Sequence, residues 1–282
     1  MAKSRCRLGV VGHPISHSLS PVMHNAALRE LGLDYEYESF DVEKDALKSF
    51  IQGCRKDFLG LNVTIPHKVG VISCLDELSE GAQLIGAVNT VKFGPGKAVG
   101  YNTDGTGCVK SLEEEGVAVK GSRILVLGSG GAARAVAFQC AVEGVQVSLS
   151  SRTLRHAQDL SADLHVKLGT DAPVIDYDQK DISSALKETD ILINTTPVGM
   201  FPHSGDSPIP ASIIPKGVVV LDIIYNPLET KLLSGAKARG CKTINGVGML
   251  AAQGAESLKI WLGVAPPVNT MKEALVNELK KT

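Results

Sequence analysis

The sequence predicts an α/β protein of two domains, one of them built on a doubly wound parallel sheet, and three observations lead there. Ile124–Leu127 is an unbroken apolar run of strand length, as a strand buried on both faces of a parallel sheet requires. It runs straight into Gly128-x-Gly130-x-x-Ala133, and Ala132 to Cys140 contains no helix breaker. Downstream, strand-length apolar runs alternate with helical patterns, the order that yields parallel strands joined by helical crossovers. In the strand–turn–helix, Gly128 suits the tight turn, Gly130 lets backbone approach a pyrophosphate, and the small Ala133 permits close helix–strand packing. Free N–H groups at such a helix start hold phosphate. A dinucleotide-binding domain is expected.

The 282 residues are enough for about two domains of ordinary size. A composition of 44% hydrophobic and 21% charged residues is that of a globular protein. A formal net charge of −1 gives no general attraction to nucleic acid or to an anionic membrane. No apolar run approaches the roughly 20 residues that span a bilayer, and no signal peptide is visible. The six cysteines (Cys6, Cys54, Cys74, Cys108, Cys140 and Cys241) lack zinc-type spacing and are read as reduced, mostly buried thiols. The expectation is a cytoplasmic protein with no metal, no nucleic-acid partner and no membrane partner.

Taken in order, Leu8–Gly12 reads as a strand that ends at His13-Pro14. Ser20 before Pro21 reads as an N-cap followed by a good first helical residue, with an apolar stripe of Met23, Ala26, Ala27 and Leu31 and a closing Gly32. Ser18 and Ser20 are thus either caps or two hydroxyls placed to hold a small ligand. Tyr35–Val42 reads as a strand and Lys44–Cys54 as a helix. Phe58–Ile65 is a strand that delivers Pro66-His67-Lys68, so Thr64 and Lys68 fall at a strand terminus, where small-molecule sites collect. Ala87–Val91 and Ala98–Asn102 read as strands joined by Gly94-Pro95-Gly96, and Asp104-Gly105 as a turn and helix start. Val109–Glu115 is a short helix with a solvated acidic end.

Beyond the glycine turn, strands are expected at Gln146–Ser150, Val174–Tyr177, Ile191–Asn194 and Val218–Ile224. Helices are expected at Leu154–Leu164, Ile182–Lys187 and Thr230–Arg239. Two final helices, Met249–Leu262 and Asn269–Lys281, have no further strand to cross to and are expected to pack on the first domain. The strand Val147–Ser150 runs into Ser151-Arg152-Thr153, with no acid before Asp159 to bind a ribose diol. An arginine there suits a 2′-phosphate, which an acid would repel, so NADP is favoured over NAD.

A nicotinamide cofactor implies hydride transfer with a proton donor and acceptor nearby. No Gly-x-Ser-x-Gly elbow, Walker lysine loop or HExxH helix is present. The polar groups that terminate strands are Lys68, Asn89, Asn102 and Asp104. A Lys beside an Asp could pass a proton to or from a substrate oxygen.

Ser18-Leu19-Ser20-Pro21-x-Met23-His24-Asn25, Asn62–Lys68, Gly86–Thr90, Asn102–Gly105, Gly128–Ala133, Asn194–Met200, Asp222–Pro227 and Gly246–Gln253 occur in that order over nearly the whole chain. In these blocks the sequence is similar to shikimate dehydrogenases, of the shikimate/quinate dehydrogenase family. The resemblance implies NADP-dependent, reversible reduction of 3-dehydroshikimate to shikimate in aromatic amino-acid biosynthesis. It implies a Rossmann domain over residues 107–246 and a discontinuous α/β substrate-binding domain over 1–106 with 247–282, with the active site in the interdomain cleft.

Carried over by position, Lys68 and Asp104 form the catalytic pair. By the same resemblance Ser18 and Ser20 would bind the substrate carboxylate, and Thr64, Asn89, Tyr225 and Gln253 would orient the ring. Gly128, Ser129, Gly130, Gly131 and Ala132 line the pyrophosphate, and Ser151, Arg152 and Thr153 surround the adenosine phosphate. Thr196, Pro197, Ile223, Gly246 and Met249 follow the nicotinamide half. Two departures stand out: Ser151 replaces the usual Asn, and His156 takes a usually basic position while Arg155 comes one residue early. A quinate/shikimate dehydrogenase with relaxed substrate and cofactor choice, a non-catalytic sensor of the same fold and a folate-linked dehydrogenase are the alternatives. A homodimer is left open.

Overall fold

The computed structural model describes residues 7–281. The chain begins with β1 (Arg7–Gly12), α1 (Ser20–Glu30) and β2 (Glu36–Asp41), then a 3₁₀ turn at Lys44–Ala46 leads into α2 (Leu47–Cys54) and β3 (Phe58–Val63). After a second 3₁₀ segment (Gly70–Cys74) come β4 (Glu77–Leu78), α3 (Glu80–Ile85) and the hairpin β5 (Thr90–Gly94) and β6 (Lys97–Tyr101). Next is α4 (Asp104–Glu114), followed by the alternating series β7 (Arg123–Leu127), α5 (Gly131–Val142), β8 (Gln146–Ser150), α6 (Leu154–Leu168), β9 (Val174–Ile175), α7 (Gln179–Leu186) and β10 (Ile191–Asn194). It continues through β11 (Val219–Asp222), α8 (Lys231–Ala238) and β12 (Lys242–Ile244) to α9 (Val247–Leu262) and α10 (Val268–Leu279).

The chain divides into two compact units: Met1–Asp104 with Ala251–Thr282, and Gly105–Leu250. The first is organised on a mixed sheet of order β2-β1-β3-β5-β6-β4, in which β3/β5 and β5/β6 are antiparallel and the remaining pairs parallel. One face packs a core that includes Val11, Ile51, Leu61, Val63, Val71 and Val91. α10 returns along α1. α9 lies close to β3, because a Cβ at Gly60 would collide with the Trp261 indole. The Trp261 Nε1 donates to the Val91 carbonyl at 2.9 Å, so the one tryptophan of the sequence fastens the C-terminal helices to the sheet.

In the second unit six parallel strands run β9-β8-β7-β10-β11-β12, the doubly wound order in which the sheet reverses direction of growth next to the first strand. Ile124 to Leu127 are all at most 1% exposed, as expected for a strand covered on both faces. Cys54, Cys108, Cys140 and Cys241 are buried free thiols and Cys74 is half-buried; Cys6 lies outside the described residues. No helix among the described residues is long and apolar enough to cross a membrane.

Several sequence expectations are corrected in detail. The cap position of α1 is Leu19, Ser20 is already helical, and no side chain caps that helix. The Ser18 hydroxyl only weakly meets the Ser20 N–H, at 3.4 Å. The expected helix from Lys44 opens as 3₁₀ before Leu47, and the strand expected from Ala87 begins at Thr90. The helix expected from Val109 begins five residues earlier, at Asp104 itself. The strand expected over Val174–Tyr177 is present as β9 but stops at Ile175, and the unexpected β4 and β12 have two and three residues, too few to show a hydrophobic period.

Candidate active site

The first unit brings together residues that are far apart in the chain. β3 ends at Val63, and the segment beyond it is pinned at several points. The Thr64 N–H donates to the Val11 carbonyl at 2.9 Å, and the His67 N–H closes a turn on the Thr64 carbonyl at 2.8 Å. The His67 side chain is buried, and its Nε2 donates to the Val42 carbonyl at 2.6 Å. The Lys68 carbonyl accepts from the Val88 N–H at 2.7 Å, which ties Lys68 to the stretch just before Asn89. With its backbone held on both sides, Lys68 places Nζ 2.5 Å from Asp104 Oδ2. The two side chains are 17% and 7% exposed, so this is an ion pair largely removed from water.

Asp104 owes its position to the start of α4. The Asn102 side-chain oxygen accepts from the Asp104 N–H at 3.0 Å, an Asx-type cap, and the Asn102 amide donates to the Ala87 carbonyl at 3.0 Å. A carboxylate in the first turn of a helix is favoured by the unpaired N–H groups there. The oxygen not used by Lys68 accepts from Asn89 Nδ2 at 2.8 Å. The same amide reaches Thr103 Oγ1 at 2.9 Å and Gln253 Oε1 at 3.3 Å. Lys68, Asn89, Asp104 and Gln253 are thus one hydrogen-bonded cluster. Thr64 lies four residues before Lys68 at the end of β3, and Ser18 and Ser20 stand at the start of α1, with Ser20 8% exposed.

Asn62, Thr90, Thr103, Tyr37 and Ser257 complete the buried polar surroundings. Sequence reasoning did not single them out as site residues. A signal existed in Asn62, a polar residue between Leu61 and Val63 in a strand whose neighbours are buried.

The second unit carries the glycine turn. Gly128 has φ +118°, a conformation reserved in practice for glycine, and a Cβ there would meet Thr195 Oγ1 at 2.5 Å. Gly130 holds the cap position of α5 without any side-chain cap, and the space around its α-carbon is open. The first N–H groups of α5, at Gly131 and Ala132, therefore lack an internal cap, which fits them to a phosphate group. The Ser129 and Ser151 hydroxyls lie 2.9 Å apart and join the glycine turn to the end of β8. Arg152 and Thr153 follow as exposed residues, whereas Arg155 is engaged by Asp159 at 2.9 Å. His156 is exposed.

At the ends of β10 and β11 the Asn194 amide donates to Asp222 Oδ1 at 3.0 Å, and Asn194 Oδ1 accepts from the N–H and hydroxyl of Thr196 at 3.0 and 2.7 Å. Asp222 also accepts from the Thr230 hydroxyl at 2.7 Å and the Ile224 N–H at 3.2 Å. Thr196, Pro197, Ile223 and Tyr225 occupy the two loops so organised. The Gly246 N–H donates to the Ile224 carbonyl, and a Cβ at Gly246 would strike the Ile223 backbone. Met249 follows in the first turn of α9 and is buried.

Taken together, a dinucleotide-type glycine turn in one unit and a largely buried lysine–carboxylate pair in the other define an α/β oxidoreductase of the nicotinamide-dependent class. Residues 10–91 match the shikimate dehydrogenase substrate-binding domain and residues 246–276 the shikimate 5′-dehydrogenase C-terminal domain. The shikimate dehydrogenase (NADP(+)) of Methanococcus maripaludis is 46% identical over 282 residues, 99% of this chain and 100% of that one. Among solved structures, a shikimate dehydrogenase in complex with NADP+ superposes with a TM-score of 0.93 at 44% identity, covering 98% of this chain and 96% of the other. That from Listeria monocytogenes, in complex with shikimate and NAD, gives 0.91 at 38% identity over 98% of both chains. The chain belongs to the shikimate dehydrogenase family.

The buried Asp222 gives this site a measurable pH signature. Burial pushes its carboxyl up from 3.8 to about 6, against the opposing pull of Thr230, Ile224 and Asn194. Between those values the folded protein holds a proton that the unfolded chain has released, so this group's contribution to stability is full below about pH 4 and is lost as pH rises toward 6. Urea unfolding free energy should lose on the order of 3 kcal/mol to this group across that window, and Asp222→Asn should remove that component of the slope. Identical pH–stability slopes in the two proteins would contradict the assignment.

Proposed function

We propose that this chain catalyses the reversible, NADP-dependent reduction of 3-dehydroshikimate to shikimate, with Lys68 and Asp104 as its catalytic pair. The observation that carries the reading is the 2.5 Å Lys68–Asp104 contact, held from the far side by Asn89. When bound, the nicotinamide supplies the hydride equivalent. Gly128, Ser129, Gly130, Gly131 and Ala132 hold the pyrophosphate, Ser151, Arg152 and Thr153 the adenosine phosphate, and Thr196, Pro197, Ile223, Gly246 and Met249 the nicotinamide half. The uncapped start of α5 and the open face of Gly130 support this cradle.

In the reducing direction the substrate carbonyl oxygen must gain a proton, and in the oxidising direction the alcohol must lose one. Lys68 does both: as an ammonium it stabilises negative charge on that oxygen and donates, and as an amine it accepts. Asp104 holds the ammonium in place and accepts from a neighbouring substrate hydroxyl. Ser18 and Ser20 donate to the substrate carboxylate at the positive end of α1. The lack of a side-chain cap on that helix supports the role, since neither hydroxyl is consumed by a strong capping bond. Thr64, Asn89, Tyr225 and Gln253 orient the ring and its hydroxyls.

Removing a positioned acid–base group costs on the order of 10²–10⁴-fold in rate. Lys68→Ala should lower kcat by about that factor with a much smaller change in the KM for shikimate. A near-normal kcat, under conditions where chemistry limits turnover, would remove Lys68 from its role.

Arg152 supplies the cofactor test. Its exposure after the end of β8, with Arg155 committed to Asp159, supports a pairing of Arg152 with a 2′-phosphate. Arg152→Ala should weaken NADPH binding far more than NADH binding, measured by fluorescence titration of each. Equal losses would assign Arg152 to adenine stacking or packing.

A further inference from the structure

Behind the Lys68–Asp104 pair lies a set of buried polar side chains that the reaction as proposed does not use. Tyr37 is 1% exposed and Thr90 and Ser257 are fully buried, with Asn62 at 6%. Unmatched, each such group would be costly to bury, and apolar residues of similar shape would fill the space without that risk. All are matched, and in a common direction. Tyr37 Oη donates to Asn62 Oδ1 at 2.7 Å. Asn62 Nδ2 donates to Thr90 Oγ1 at 3.1 Å and to Ser257 Oγ at 2.9 Å. Thr90 Oγ1 donates to Asn89 Oδ1 at 2.9 Å, and Asn89 Nδ2 donates to Asp104 Oδ1 at 2.8 Å.

Every step runs from donor to acceptor in the same sense and ends on a carboxylate, the one group in the series that only accepts. Bonds aligned head to tail polarise one another. Ser257 is a side branch that accepts from Asn62; it donates onward to the Gln253 carbonyl at 3.1 Å and lies 2.8 Å from the Thr90 hydroxyl. At the start of the chain the Tyr37 ring stacks on His24, with centroids 4.2 Å apart and planes 9° from parallel. Burial holds that imidazole neutral, with its pKa lowered to about 3. The side chain of Ser20 is a polar neighbour of the Tyr37 hydroxyl.

We propose that Tyr37, Asn62 and Thr90 are positioning residues: their one-way hydrogen-bond chain fixes the Asn89 carboxamide, and through it the Asp104 oxygen that Lys68 leaves free. The proposal rests on Lys68 and Asp104 being the catalytic pair. Without the Thr90 hydroxyl, Asn89 Oδ1 keeps only the Thr103 backbone N–H and hydroxyl, at 2.9 and 3.2 Å, and its amide is less firmly aimed at Asp104. A slightly misplaced acid–base partner reduces rate more than it reduces substrate binding.

The test is a comparison of Thr90→Val, Thr90→Ser, Tyr37→Phe and Lys68→Ala, each checked for an intact fold by thermal melting and assayed with shikimate and NADP+. Thr90→Val, which keeps the shape and deletes the hydroxyl, should lower kcat by roughly ten- to a hundredfold while the KM for shikimate moves by no more than about twofold. Thr90→Ser should restore kcat to within a few-fold of the parent, and Tyr37→Phe should lower kcat several-fold. The proposal fails if Thr90→Val has normal kcat, or if Thr90→Ser is as slow as Thr90→Val, which would mean packing rather than hydrogen bonding. If Thr90→Val does not fold, Tyr37→Phe decides, and a normal kcat there overturns the chain. An inactive Lys68→Ala beside a fully active Thr90→Val would sink this inference alone, whereas an active Lys68→Ala would sink the catalytic assignment beneath it.

Discussion

The Asn89 carboxamide is 2% exposed, so its two N–H donors and its carbonyl lone pairs must be met inside the protein. They are met by Asp104, Thr103, Gln253 and Thr90, which come from three separated stretches of chain. Because leaving any of these groups unpaired would cost about 1–3 kcal/mol, the arrangement has little freedom to drift. The Asn89 main chain is also bound on both sides, its N–H by the Tyr101 carbonyl and its carbonyl by the Val63 N–H. Asp104 inherits this rigidity, and Lys68 inherits it from Asp104. An ion pair removed from water is a weak source of stability in itself; here its value lies in holding two charged groups at a fixed separation.

The second unit uses the same device with other residues. A strand-terminal asparagine, Asn194, is bonded to a buried aspartate, Asp222, and passes the constraint to the Thr196 backbone and hydroxyl. In both units a carboxamide converts the regular end of a strand into a defined loop. An amide suits this work because it donates and accepts at once and carries no charge that burial would penalise. Asp222 shows the contrast: buried and charged, it is pushed up to about 6 even with three donors around it.

Much of this was legible in the sequence where local chemistry decides structure. The apolar run Ile124–Leu127 and the glycines after it specify a strand, a turn and a helix start by steric rules alone, and β8 and β10 were read to the residue. The Lys68–Asp104 contact was a different matter, since residues 36 apart meet only through the tertiary fold. Their family motifs named them; their spacing could not. Ser-Pro is a good helix start and makes a cap one of two expectations for Ser20, yet the helix begins one residue sooner and the cap falls on Leu19. Tyr37 and Ser257 were invisible for a related reason. A tyrosine in a strand and a serine in a helix look like ordinary packing until the fold brings each within 3 Å of Asn62. Short strands such as β12 were missed because three residues carry no usable period.

The central claim is that the fixed Lys68–Asp104 pair serves alcohol–carbonyl exchange on a shikimate-type ring with NADP. The most direct measurement is NADP+ reduction by the purified protein, followed by absorbance at saturating cofactor, with shikimate and quinate supplied side by side. The account predicts ready turnover of shikimate, a much lower kcat/KM for quinate, and slower turnover when NAD+ replaces NADP+. No reduction of either dinucleotide with shikimate, by a folded protein that binds both ligands, would contradict it.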